Sequence, residues 1–182
     1  LKSRQVRMCK NAATCGYFYK EGGEPYAAGE LLIQSDLADT MERIANDGPD
    51  GFYKGKTAEL IADEMQRGGG LVDAESLAAY RAVDRKPVYG TYRGYEVVTM
   101  APPSSGGVHV LQMLNILEHF PVAEFGAGGA DNIHLLAEVA RLAYADRSEH
   151  LGDPDYYDVP VEWLTSKEYG KELAATIDMR QA

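Results

Sequence analysis

From Val108 to Phe120 the chain carries its most continuous apolar pattern. Val108, Leu111, Leu114, Ile116, Leu117 and Phe120 recur at helical spacing, which predicts a helix with one side in a core. The stretch before it changes period. Pro87–Tyr92 and Tyr95–Met100 are rich in β-branched and aromatic residues and meet at Arg93-Gly94, which predicts a hairpin. Between hairpin and helix stands Ala101-Pro-Pro-Ser-Ser-Gly-Gly107. The prolines end the ladder because they have no N–H to donate. Ser104 or Ser105 is placed to cap the helix, and Gly106-Gly107 lets other backbone come close. The rest of the chain is expected to pack around this joint.

Four more helices follow from the same pattern, and a short one. Residues 36–47 start at Ser35-Asp36, place Leu37, Met41, Ile44 and Ala45 on one face, and stop at Asp47-Gly48-Pro49. Gly51–Gly55 reads as an aromatic link. Residues 56–67 point Ala58, Ile61, Ala62 and Met65 inward and end at Gly68-Gly-Gly70. A short helix starts at Asp73 with Leu77 and Tyr80 as its packing side. Residues 131–150 are expected to turn Ile133, Leu136, Ala137, Ala140, Ala143 and Tyr144 inward. The last helix, 166–178, follows a capping box at Thr165-Ser-Lys-Glu168 and uses Tyr169, Leu173 and Ile177. Residues 1–16 show no period and are read as loosely ordered. Gly16–Lys20 and Tyr26–Gly29 suggest a loose hairpin around Glu21–Pro25. Six helices and two hairpins make the class α+β, predominantly helical with short β-hairpins. With no repeat and no internal linker, residues 1–182 read as a single partial domain.

Composition narrows the functions. The hydrophobic share is 45% and the charged share 25%, ordinary for a soluble domain. No apolar run approaches the ~20 residues of a membrane span. A net charge of −10 argues against a nucleic-acid surface, which needs clustered cations to neutralise phosphate. The basic cluster Lys2, Arg4, Arg7 and Lys10 reads as a solvated end. The N-terminal residues lack an apolar signal segment, and a leading Leu1 suggests a processed or truncated product. Cys9 and Cys15 are not spaced as a C-x-x-C pair. They suit a local disulfide or two free thiols, and spacing alone does not choose.

Ser104-Ser105 before Gly106-Gly107 lacks the G-x-S-x-G of a nucleophile elbow, and Val108 stands where a P-loop needs lysine. A helix cap with a close-packing glycine pair is the preferred reading. His134 and Glu138 lie one helical turn apart, but two ligands do not make a metal site and H-E-x-x-H is absent. A partly buried, locally hydrogen-bonded His134 is expected; His109, His119 and His150 are isolated. Asp153, Asp155 and Asp158 match a calcium loop only loosely and read as turn formers. Arg141, Asp146 and Arg147 are expected to form a partly buried structural network. No self-contained catalytic set is visible.

Several motifs taken together resemble a known family. They are Gly48-Pro-Asp-Gly-Phe-Tyr-Lys-Gly55, Gly68-Gly-Gly70 with Leu77-Ala-Ala-Tyr80, and Tyr92-Arg-Gly-Tyr95. Pro102-Pro-Ser-Ser-Gly-Gly107, Ala143-Tyr-Ala-Asp-Arg-Ser148 and Leu151-Gly-Asp-Pro-Asp155 follow in order. From Gly23 to Ala182 the chain resembles the C-terminal half of the large subunit of the γ-glutamyltranspeptidases (glutathione hydrolases). The resemblance implies part of the αββα architecture of an N-terminal-nucleophile hydrolase. It implies a self-cleaving precursor whose new N-terminal threonine, on a small subunit, attacks γ-glutamyl amides such as glutathione. The acyl group then passes to water, an amino acid or a peptide, with no metal or organic cofactor. The implied partners are that small subunit and the rest of the large subunit; no nucleic acid and no membrane span are expected. An exported, periplasmic or extracellular setting is implied likewise.

The chain departs from the family pattern in one respect. The Thr-Thr-His-type segment of the processing junction does not occur in it, and the chain is expected to stop before that junction. The family's carboxylate-gripping arginine is expected in an earlier segment, and its pocket serines and glycines on the small subunit. No catalytic, substrate-binding or metal residue is therefore assigned here. The expected role is a scaffold, inactive alone, with bare apolar surface that favours self-association. Related cephalosporin acylases and poly-γ-glutamate depolymerases share the scaffold, and a stand-alone helical binding module is the non-enzymatic alternative.

Overall fold

Arg93 (φ 48°) and Gly94 (φ 86°) both take left-handed backbone, the two-residue turn whose twist matches that of paired strands. Strands β1 (Val88–Tyr92) and β2 (Tyr95–Thr99) pair antiparallel through it, Tyr92 opposite Tyr95 and Val88 opposite Thr99. The structure, a computed structural model, describes residues 2–181. Leu1 and Ala182, the two ends of the expected domain, lie outside the described residues. The described contacts fall into two units, divided between Ala82 and Val83.

In the second unit, Val88, Gly90, Tyr92, Val97 and Thr99 line the half-buried side of the hairpin, while Tyr89, Thr91, Glu96 and Val98 are exposed. Helix α7 (Ser105–Leu117) packs on β1. Its Leu111 is fully buried and occupies the space Gly90 leaves: a Cβ on Gly90 would sit 2.5 Å from Leu111 Cδ2. Helices α8 (Ala130–His150) and α10 (Lys167–Ala174) flank α7, with the short α9 (Val161–Leu164) before α10. Ile116, Leu135, Val139 and Ala174 form the core cluster, with Phe120, Leu142, Leu173 and Ile177 packed around it. Of the expected apolar face, Val108, Leu111 and Ile116 are buried, while Leu114 and Leu117 are half-buried and Phe120 lies past the end of the helix.

Two readings are corrected in this unit. Helix α8 buries Leu135, Glu138, Val139 and Ala143; of the expected stripe Ala143 alone is buried, with Ala140 half-buried. Ile133 (60% exposed), Leu136 and Tyr144 lie on the surface, and Ala137 with them. The helix carries apolar residues on two sides, so its spacing alone does not select the buried one. The final helix is also shorter than 166–178. The capping hydroxyl belongs to Ser166, which accepts from Tyr169 N at 3.1 Å. Thr165 instead donates its hydroxyl to Val161 O, which takes it out of the expected box.

The first unit opens with a 3₁₀ turn (Lys2–Arg4), α1 (Gln5–Met8) and α2 (Ala12–Phe18). These replace the loose segment expected at 1–16. A disulfide joins Cys9 to Cys15, and Asn11 caps α2 by accepting from Thr14 N. Gly16–Phe18 therefore belongs to a helix, and the expected first hairpin is reduced to one bridge between Tyr19 and Pro25. A covalent tie and a side-chain cap outweigh the weak β preference of three residues. Arg4, Arg7 and Lys10 are exposed, as expected of a solvated end.

Helix α3 (Ser35–Asp47) leaves Leu37 and Met41 exposed and receives no side-chain cap from its N-cap residue Gln34. The expected aromatic link contains α4 (Asp50–Tyr53), which is packed so closely that a Cβ on Gly51 would strike the Arg43 carbonyl. Helix α5 (Gly55–Gly68) follows its predicted face and ends at left-handed Gly69. Helix α6 (Ala74–Ala79) is capped by Asp73, whose carboxylate accepts from Ser76 N at 2.7 Å. Among the described residues of this unit only Tyr19, Ala58 and Leu77 are buried hydrophobics.

Candidate functional site

The Pro-Pro-Ser-Ser-Gly-Gly joint is where the pattern concentrates, and its geometry separates packing from chemistry. Ser104 is the N-cap residue of α7, yet its side chain makes no capping bond. Ser105 Oγ instead accepts from Arg147 Nε at 3.3 Å. The serines therefore stand at the helix start as predicted, without the predicted hydroxyl cap. Gly107 does what a close-packing glycine should: a Cβ there would overlap the Met100 carbonyl. Gly106 has room, with only Ser104 Oγ near, at 3.6 Å. Among the described residues neither serine hydroxyl bonds a histidine or a carboxylate, so no nucleophile–base pair forms. Beside the joint, Val98, Met100, Pro103 and Ser104 line an open cavity of about 660 Å³. Arg85 on its wall is held by Asp155 through two bonds of 2.8 and 2.5 Å.

Behind the joint runs a polar seam. His109, Gln112 and Asn115 are all buried and recur every third residue along α7. Gln112 Nε2 donates to Asp146 Oδ2, and Tyr169 OH donates to the same oxygen at 2.9 Å. Asn115 Nδ2 donates to Thr165 O at 2.8 Å. These donations fix which way each amide points. Gln112 Oε1, Asn115 Oδ1 and His109 Nε2 are then buried without a hydrogen-bond partner among the described residues. Burial and the bond to Asp146 push the Tyr169 hydroxyl up to about 12. Burial lowers the His109 imidazole, the Arg147 charge adds to this, and Asp146 opposes it. The Tyr169 hydroxyl, held by Asp146, ties α10 to α8 and is not poised to exchange protons near neutrality. The sequence signal for this seam was Gln112 and Asn115 interrupting an apolar helix; their partners Asp146 and Tyr169 lie too far along the chain to be paired from spacing.

A second polar cluster locks the hairpin tip. Glu118 Oε1 accepts from Arg93 N at 2.7 Å and Oε2 from Lys167 Nζ at 2.6 Å. Lys167 Nζ also donates to Thr91 O at 2.6 Å, and Arg93 Nη2 to Phe120 O at 2.9 Å. Partial burial pushes the Glu118 carboxyl up, but the bonds from Lys167 and Arg93 outweigh it and hold it below its ordinary 4.5. A carboxylate lowered on folding adds stability above its unfolded value and loses it as pH falls through its folded value. Glu118→Gln is therefore expected to lower the urea midpoint at neutral pH, with the gap to the parent closing well below pH 4.5. A gap independent of pH would show that the charge is not what holds the tip.

The remaining candidates do not converge. His134 Nε2 meets Asp178 O at 3.0 Å, across the fold and not locally as expected. Glu138 pairs with Arg141 at 2.6 Å. His150 packs edge-on against Trp163, and His119 is exposed. Asp153 accepts from Asp155 N in a turn, while Asp155 faces Arg85. The expected Arg141–Asp146–Arg147 network is instead three separate interactions, with Glu138, with Gln112 and Tyr169, and with Ser105. No group of three metal-ligating side chains forms among the described residues.

The family model described as gamma-glutamyltranspeptidase matches residues 1–182. The chain is 54% identical over 165 residues to the glutathione hydrolase proenzyme of Escherichia coli, covering 91% of this chain and 28% of that protein. It is 47% identical over 161 residues to an acylase proenzyme, ACY 1, of a Pseudomonas species, covering 88% of this chain and 29% of that one. Its fold matches the crystal structure of Helicobacter pylori gamma-glutamyltranspeptidase with a TM-score of 0.91 at 45% identity, over 97% of this chain and 51% of that one. The chain thus spans under a third of the curated relatives and about half of the solved chain. The family model covering every residue, the identity to these enzymes and the shared fold together place this chain in the gamma-glutamyltranspeptidase family.

Proposed function

We propose that this chain is the scaffold part of an enzyme that cleaves γ-glutamyl amide bonds and passes the γ-glutamyl group to water, an amino acid or a peptide. The carrying observation is the 54% identity to a glutathione hydrolase proenzyme, together with a joint at which, among the described residues, Ser104 makes no capping bond and Ser105 meets only Arg147. In this reading the nucleophile is an N-terminal threonine outside residues 1–182, as no threonine here is followed by another. The catalytic, substrate-binding and metal assignments within this chain stay at none. Both units belong to one larger body completed by a partner subunit and by the rest of the large subunit. The setting is periplasmic or extracellular.

The seam and the hairpin clamp support this role. A nucleophile displaced by an ångström loses much of its rate, so the elements behind it must be stiff. Gln112, Asn115, Glu118 and Lys167 tie α7 to α8, α10 and the hairpin. The 47% identity to the acylase ACY 1, with the likeness to a solved cephalosporin acylase of Bacillus halodurans at 28% identity and a TM-score of 0.83, favours one second reading of the donor, the acyl side chain of a cephalosporin. The chain alone is expected to release no aniline from a γ-glutamyl anilide, and to gain release when co-expressed with a threonine-headed small subunit and the remaining large-subunit sequence of the family. Release by the chain alone would overturn the proposal. Release only from an acylated β-lactam by the completed enzyme would select the second reading.

A further inference from the structure

A cavity of about 490 Å³ opens directly onto the Cys9–Cys15 disulfide; Ala12, Gly16, Lys20 and Gly23 share its wall with both cysteines. Neither cysteine is buried. The helices it joins are weak by themselves. Helix α1 has four residues and no side-chain cap, and α2 has seven, against the roughly 12–15 residues that an isolated helix needs to be even marginal. From residue 3 to residue 26, Tyr19 is the one buried hydrophobic side chain, at 3% exposure. Other ties include Gln5 Nε2 to Gly23 O at 2.5 Å, Tyr19 OH to Met8 Sδ at 3.6 Å, Tyr17 OH to the Asp36 carboxylate, and the Asn11 cap. Elements this short depend on such ties for their order, and the Cys9–Cys15 bridge is the one covalent tie among them.

We infer that the Cys9–Cys15 disulfide is a thiol-exchange site, and that a small thiol entering the cavity reduces it and releases residues 5–18 from their helical form. The thiolate attacks the Sγ of one cysteine in line with the S–S bond. A mixed disulfide forms, and the other cysteine leaves as a thiolate and takes up a proton. A second thiol attacks the small-molecule sulfur of the mixed disulfide and frees the first cysteine. Two thiols are oxidised to their own disulfide, and the protein disulfide gains two electrons and two protons. Lys20 on the wall, which also pairs with Glu30, favours approach of an anionic thiolate. No hydrolytic step is involved, so the inference stands or falls apart from the proposed activity.

The test uses the full chain without denaturant, incubated with millimolar glutathione at mildly alkaline pH. Free thiols are alkylated and counted by intact mass, and backbone amide exchange is followed in parallel. Two alkylations are expected, preceded by a glutathione adduct on Cys9 or Cys15. Amides within 5–18 should then exchange faster by on the order of fiftyfold, the loop-entropy share of a bridge across so short a loop. Amides of α5 should keep their rates. The double variant Cys9→Ser/Cys15→Ser should show the fast exchange from the outset and take no adduct; slow α5 exchange certifies that it has folded. A bridge that resists glutathione until denaturant is added overturns the proposal, as does reduction that leaves 5–18 as protected as before.

Discussion

Replacing Gly107 by alanine should lower the unfolding free energy of residues 83–182 by on the order of 3 kcal/mol, the upper part of the range for overpacking. The added Cβ meets the Met100 carbonyl, which is backbone and cannot rotate aside. Relief requires α7 to lift from the end of β2, which loosens Val108 and Leu111, both fully buried. The neighbouring Gly106→Ala is the internal control. It meets nothing closer than Ser104 Oγ at 3.6 Å, and should be neutral or stabilising by about 0.5 kcal/mol through a less flexible unfolded chain. Trp163, the one tryptophan, stacks near Tyr169 at 4.1 Å in the same unit. Its fluorescence in urea therefore reports both variants. Equal midpoints for Gly107→Ala and the parent would show that the contact is not tight.

The second large effect is expected at Leu111→Ala, at about 3–4 kcal/mol, because a fully buried leucine leaves both lost transfer energy and a cavity. The cavity faces Gly90, which has no side chain to relax into it. That makes a coupled pair. Gly90→Ala alone places a methyl 2.5 Å from Leu111 Cδ2 and should destabilise. With Leu111 already shortened the same methyl enters vacated space, so the double variant should be more stable than the sum of the singles by about 1 kcal/mol. Strict additivity in a urea-denaturation cycle would refute the lock between hairpin and helix.

What could be read from the sequence follows from how local each cause is. The hairpin is legible because two runs rich in β-branched and aromatic residues meet directly at Arg93-Gly94, where Gly94 takes left-handed backbone without cost. Helix α5 was legible because one apolar face and a glycine stop agree. Helix α8 was not, because Leu135, Val139 and Leu142 compete with Ile133, Leu136 and Tyr144, and only contact with α7 decides between them. The N-terminal helices were missed because a disulfide between Cys9 and Cys15 holds elements too short to show a period. The joint was found by its prolines and glycines, and Gly107 does carry the close approach expected of it. The seam and the clamp were not found: Asp146 meets Gln112, and Lys167 meets Glu118, only after distant helices have packed.

The Lys167 ammonium resting on the Thr91 carbonyl makes the two borders of the hairpin unequal. In this register Thr91 is a position whose main-chain groups turn away from β2. One of those groups is already spoken for by a cation that also answers to Glu118. Beside β1 a newcomer would meet positive charge where it sought a lone pair, a familiar way of discouraging edge-to-edge growth. The rim along Glu96 and Val98 carries no such guard among the described residues, which gives this small ribbon a direction in which it can be extended.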